Sequence, residues 1–247
     1  AINAVEEQQR NDFHPWTLAR IAQVLAAAGR TEEALHTAQR VEDDDLRSWA
    51  LARIAQAMAA VGRFQEARQT AERVESNNLR SQVLAQIAQA LDASGRTEEA
   101  QTTFQEARQA AERVEYDISG NRNRSWALAQ IAQALDASGR TEEAHKTFQE
   151  AKLSAYRIEY DFYGAIPHTL SNIAQSMYAC GRLQDSKNTF KEAILLANHL
   201  EYFILFNRYR VFSRIAQAMA ASEMTLEAQN TFQEALRSAY HTKPNHI

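Results

Sequence analysis

The chain has 247 residues, 45% of them apolar and 23% charged, and a formal net charge of −4. This balance suits a folded protein and excludes disorder, which needs low hydrophobicity joined to high net charge; no apolar run is long enough to span a membrane. The single Cys180 excludes an internal disulfide framework and a multi-cysteine metal site.

Seven glycines and three prolines stand against 45 alanines. Alanine is the strongest helix former, so an all-α chain is expected. Self-similarity then sets the architecture. The triplet Ile-Ala-Gln recurs at Ile21, Ile54, Ile87, Ile131, Ile173 and Ile215, spaced by 33, 33, 44, 42 and 42 residues. Eight residues after the isoleucine stands a glycine in five copies, at Gly29, Gly62, Gly95, Gly139 and Gly181, and Glu223 in the sixth. Chance does not align six registers in one chain. The pattern is a solenoid of six helix-turn-helix repeats, near 15–47, 48–80, 81–124, 125–166, 167–208 and 209–242, read as one domain.

Taken in order, residues 1–10 read as the tail of a preceding second helix, because Val5-Glu6 precedes Ile21 much as Val114-Glu115 precedes Ile131. Each repeat opens with a leading helix. In the first, Leu18, Ile21, Ala22 and Leu25 recur at i, i+3, i+4 and i+7 and predict one buried face. Ser48, Ser81 and Ser125, with Pro15 and Pro167, are expected at the starts of leading helices as caps or φ-locked first residues. The glycine ends the helix in the left-handed conformation. Thr31, Thr97 and Thr141 are then expected to cap the trailing helix, with Glu32 and Glu33 favouring its positive end in the first copy.

From the glycine to the closing aliphatic residue is 12 residues for Val41 and Val74, but 19 for Val114, Ile158 and Leu200. Seven residues are about two turns, so the trailing helix should lengthen from the third repeat on without rotating its apolar face. Tyr116, Tyr160, Phe162, Tyr163, Tyr202, Phe203 and Phe206 follow the long helices. They either cover helix ends or, exposed together, form a partner site. Lys243-Pro244-Asn245 stops the last helix. No polar capping helix follows, and the chain starts at Ala1 instead of Met, so a fragment or processed chain with self-associating ends is expected.

These registers resemble the tetratricopeptide (TPR) repeat over nearly the whole chain. The large apolar position is Leu18, Leu51, Leu84, Leu128, Leu170 and Phe212. The trailing-helix alanine is Ala34, Ala67, Ala100, Ala144 and Ala228, with Ser186 in the fifth copy. The following aromatic is Phe104, Phe148, Phe190 and Phe232, replaced by Ala38 and Ala71 in the short repeats. The proline that closes many family repeats is missing throughout. The 42-residue spacing is similar to that of some kinesin-light-chain-like members. The first two repeats also resemble degenerate helical repeats found behind the nucleotide switch of some bacterial signalling ATPases. The resemblance implies a right-handed α-α superhelix whose leading helices line a concave groove. It also implies that the family's carboxylate clamp is absent, because its lysine would fall at Ala19, Ala52, Ala85, Ala129, Ser171 and Ser213.

Helix geometry independently places Trp16, Arg20 and Gln23 opposite the apolar stripe of the first leading helix. Through the repeats the first position runs Trp16, Trp49, Gln82, Trp126, His168 and Arg210. The second runs Arg20, Arg53, Gln86, Gln130, Asn172 and Arg214, and the third is Gln23, Gln56, Gln89, Gln133, Gln175 and Gln217. Trp and Arg are strong interface anchors, and amides bond a ligand's main chain, so a peptide or partner helix is the expected occupant. The same columns also fit an internal role, with indoles packed between helices and glutamines bonded from repeat to repeat. Leu84–Ala100 and Leu128–Ala144 are identical, so duplication accounts for some of the sameness.

No Gly-rich phosphate loop, His-Glu-x-x-His zinc motif or nucleophile elbow is present. The seven histidines are scattered over different repeat positions, and Cys180 reads as a small buried residue. No enzyme, metal or cofactor is therefore expected. Helical repeats that read RNA carry a basic stripe, and a pI near 6.0 disfavours nucleic acid, although Arg20, Arg53, Arg210 and Arg214 leave a local basic groove open. The expected role is a cytoplasmic, non-enzymatic scaffold binding a protein or peptide. The alternatives are a sensing or regulatory segment of a larger signalling protein and, third, an RNA-binding repeat.

Overall fold

The computed structural model describes residues 15–114, 118–158, 164–199 and 205–241, by backbone alone at 118–121, 205–207 and 239–241. Twelve helices occur among them, in six pairs. The leading helices are α1 (Pro15–Ala27), α3 (Asp44–Ala60), α5 (Asn77–Ala93), α7 (Ile118–Ala137), α9 (Ala165–Ala179) and α11 (Leu205–Ala221). Each is followed by its trailing helix: α2 (Thr31–Gln39), α4 (Phe64–Glu72), α6 (Thr97–Glu112), α8 (Thr141–Tyr156), α10 (Leu183–Asn198) and α12 (Thr225–His241). The chain is an all-α helical-repeat protein, as its composition and periodicity predict. No helix among the described residues is long and apolar enough to cross a membrane.

The helices fall into two compact units, residues Ala1–Arg113 and Val114–Ile247. Within each unit a leading helix packs on its own trailing helix and on the next leading helix, and a trailing helix packs on the leading helix that follows it. The repeat columns fill these contacts. Leu51, Leu84, Leu128, Leu170 and Phe212 are buried on the leading helices; Ala67, Ala100, Ala144, Phe104, Phe148 and Phe190 are buried on the trailing ones. Small alanines let helix axes approach, and the large residues fill what remains. Ser186 replaces the alanine in the fifth copy at little cost, because its buried hydroxyl donates to the Ala174 carbonyl at 2.8 Å.

The helix-ending glycines take φ between +74° and +81°, as expected. At Gly62 a Cβ would meet no atom within 4 Å, so only the backbone angle demands glycine there. Glu223 adopts φ +55° in the sixth copy, the one non-glycine residue with positive φ among those described. The trailing helices α2 and α4 have 9 residues and α6, α8 and α10 have 16, the seven-residue extension read from the spacing.

Three local expectations are corrected. Ser48, Ser81 and Ser125 do not start their helices; α3 is capped by Asp43 and α5 by Ser76, each accepting from the N–H three residues on. The serines lie buried in the leading helices, where the Ser48 hydroxyl accepts from the Glu75 and Ser76 N–H groups at the entry to the next repeat. Thr31, Thr97 and Thr141 are the first residues of their helices and not the caps; the cap position belongs to Arg30, Arg96 and Arg140, whose side chains give no capping hydrogen bond. Finally, Ile21 is 38% exposed whereas Ile54, Ile87, Ile131, Ile173 and Ile215 are buried. No described helix pair precedes α1, so the face that later repeats bury against the previous trailing helix has nothing to meet. The proposed tail at 1–10, the aromatic residues 116, 160, 162, 163, 202 and 203, and residues 243–245 lie outside the described residues; so does the side chain of Phe206.

Candidate functional site

The apolar stripe of each leading helix faces its trailing partner and its neighbours, which leaves the opposite stripe outward. In the N-terminal unit that stripe carries Trp16, 56% exposed, beside the half-buried Trp49. Arg20 lies between them, its guanidinium 5.7 Å from the Trp16 ring and 6.0 Å from the Trp49 ring, and Arg53 stands 5.6 Å from Trp49. The result is an alternating ladder of indole and guanidinium groups across α1 and α3. Arg20 donates to the Gln23 amide oxygen at 2.7 Å and Arg53 to that of Gln56 at 3.0 Å, so the first two Gln residues orient the arginines from one turn away. Gln56 in turn donates to Gln86 on α5. Next to this ladder a cavity of about 480 Å³ opens between α1 and α3, lined among others by Gln23, Arg53, Gln56, Val61 and Arg63.

The C-terminal unit presents Trp126, 40% exposed, with Gln130 donating to Gln133 at 2.9 Å on the same helix. Gln175 reaches the Ala218 carbonyl of the next leading helix at 3.4 Å. Thus Gln56 and Gln175 bond from one repeat to the next, while Gln23 and Gln133 are held within their own helix. Gln89 is half-buried and Gln217 exposed. His168 is partly buried at the start of α9; burial, and then Arg214 and Arg122 facing it, hold its pKa below the ordinary histidine value. Arg210 donates to the Tyr209 hydroxyl at 3.1 Å. Arg122, four residues before Trp126, joins this candidate cluster and was missed by the repeat columns; helical i, i+4 spacing back from the indole was the signal.

Charge is sorted between the two kinds of helix. In the C-terminal unit the leading helices hold five arginines and one acid, the trailing helices seven acids and five bases. In the N-terminal unit the counts are four arginines and three acids against eight acids and two bases. The arginines that follow the helix-ending glycines are structural. Arg30, Arg96 and Arg182 pair with Glu33, Glu99 and Asp136 at 2.5, 2.7 and 2.6 Å, and Arg63 pairs with Glu66. By contrast, no carboxylate among the described residues pairs with Arg20, Arg53, Arg122, Arg210 or Arg214.

At the clamp position Ala19, Ala52, Ala85, Ala129 and Ser171 are buried, and Ser213 is half-buried. Cys180 is half-buried, and burial, with Asp136 beside it, pushes its thiol up to about 11, so it is protonated at neutral pH. Among the described residues no group of three or more His, Cys, Asp or Glu side chains is placed to hold a metal ion.

No family model matches the sequence. No curated protein matches it either. Among solved structures, Ton1535 from Thermococcus onnurineus NA1 is similar, with a TM-score of 0.51 and 15% identity over 90% of this chain and 76% of that one. A Podosopora anserina putative kinesin light chain with nearly identical TPR-like repeats gives a TM-score of 0.42 and 16% identity over 94% of this chain and 100% of that one. At these identities the likeness is one of fold. Each helix pair has the arrangement that the repeat resemblance implies: leading helix, positive-φ turn, trailing helix, and within each unit a next leading helix packed on both.

Proposed function

We propose that the chain is a non-enzymatic scaffold that binds an extended peptide or a partner helix on the outward stripe of its leading helices. The reading rests on one observation: Trp16 and Trp126 stand in solvent on that stripe, although indoles normally lose most of their surface on folding. Trp16, Trp49 and Trp126 would serve as apolar anchors. Arg20 and Arg53, already held over the rings and bonded to Gln23 and Gln56, lose little freedom on meeting a ligand. Amides not committed to neighbouring helices would bond the ligand's main chain.

The test is direct. Peptides selected from a random library on the intact protein are measured against the triple variant Trp16→Ala, Trp49→Ala, Trp126→Ala. Loss of two anchors of about 2 kcal/mol each corresponds to a drop in affinity of several hundredfold, and even one gives about thirtyfold. Unchanged affinity in a variant with native circular dichroism would end the reading.

A further inference from the structure

We propose that the C-terminal unit holds a carboxylate side chain of an acidic peptide between Arg122, His168 and Arg214, contributed by three successive leading helices. The proposal rests on the leading-helix stripe being a peptide site and names the chemistry that this part of it selects. Trp126, His168 and Arg210 occupy one repeat position on α7, α9 and α11, and α9 packs against both of the others. Arg122 lies one turn before Trp126 and Arg214 one turn after Arg210, so the three groups form a diagonal across the stripe. Neighbouring packed helices lie about 8–10 Å apart, within reach of an arginine side chain.

Among the described residues no carboxylate pairs with Arg122, His168 or Arg214. The one acid on these three helices is Asp136, and Arg182 holds it at 2.6 Å with both side chains largely covered. Arg122 faces His168 from α7 and Arg214 from α11; no charged side chain of α8 or α10 acts on it. Burial and the two guanidinium groups keep the imidazole neutral. An arriving carboxylate reverses that balance: it accepts charge-assisted hydrogen bonds from the arginines and lets His168 take up a proton from solvent. Binding must then strengthen as pH falls through the ordinary histidine range, because the complex holds more protons than the free protein.

The probe is a blocked hexaglutamate peptide, with blocked hexaserine as control, titrated calorimetrically into the intact protein between about pH 6 and about pH 8 in buffers of different ionisation enthalpy. Hexaglutamate is expected to bind about tenfold or more tighter than hexaserine, more tightly at the lower pH, and with net proton uptake. Arg122→Gln with Arg214→Gln should remove about tenfold of that affinity. His168→Gln should keep part of the binding and abolish both the proton uptake and the pH dependence. Equal hexaglutamate binding by the arginine variant, no proton uptake by the unmodified protein, or tighter binding of oligothymidylate would overturn the proposal. If library-selected peptides bind through the indoles and hexaglutamate does not, the carboxylate site falls and the peptide-binding reading stands; if neither binds, both fall.

Discussion

Glycine at the turn between paired helices is set by one backbone angle. Gly62 has φ +81° and open space where a Cβ would go. Gly62→Ala should therefore destabilise its unit by about 1–2 kcal/mol, the cost of the left-handed conformation for an L-residue, with no steric contribution. Chemical denaturation with circular dichroism measures it; a neutral effect would mean that the turn relaxes at no cost. Glu223, which bears the same strain at φ +55°, accepts from the Tyr178 hydroxyl at 3.1 Å, so its replacement by glycine trades strain relief against a lost contact. Spacing alone marked all six positions, because at five of them the left-handed turn leaves its trace as glycine. The roles of Ser48 and Thr31 left no such trace. Whether a hydroxyl caps its own helix or meets the neighbouring one depends on groups about thirty positions away: Ser48 accepts from Glu75 and Ser76, and Thr31 from Arg63.

Among helices, register equivalence does not mean energetic equivalence. Phe148 and Phe232 share a repeat position, yet Phe148 is fully buried and Phe232 is 46% exposed. The difference lies in the following leading helix: α9 packs on α8, whereas no described helix follows α12. Phe148→Ala should cost about 3–5 kcal/mol as a core truncation, and Phe232→Ala less than half as much, in urea denaturation of the two variants. Equal costs would show that α12 is covered in solution. The same neighbour dependence explains Ile21, whose apolar pattern matches its buried counterparts while its surroundings do not. Lengthening of α6, α8 and α10 was legible in advance because seven added residues restore the helical phase. Burial of Ala19 and Ala52 was not, since it depends on neighbouring helices that a single segment does not specify.

For the whole molecule, each helix pair draws its support from the pairs beside it, and the contacts divide into two compact units. Repeat arrays of this kind gain stability from nearest neighbours. Residues 1–113 expressed alone should accordingly remain helical and melt cooperatively in circular dichroism; a chain without helical signal would show that this unit depends on residues beyond 113. The net charge of −4 conceals a second property of the molecule. Acids crowd the trailing helices, while Arg20, Arg53, Arg122, Arg210 and Arg214 on the leading ones pair with no carboxylate among the described residues, so overall pI was a poor guide to the character of the candidate face.

By itself the sequence determined the all-α repeat, the positions of the five helix-ending glycines and the extended trailing helices. These follow from local conformational preference and helical phase, both of which are written along a single segment. Only the tertiary structure decided which hydroxyls join neighbouring repeats, which glutamines are committed internally, and which arginines lack a carboxylate. Those outcomes depend on which groups from distant segments compete for the same donor, acceptor or charge once the helices are packed.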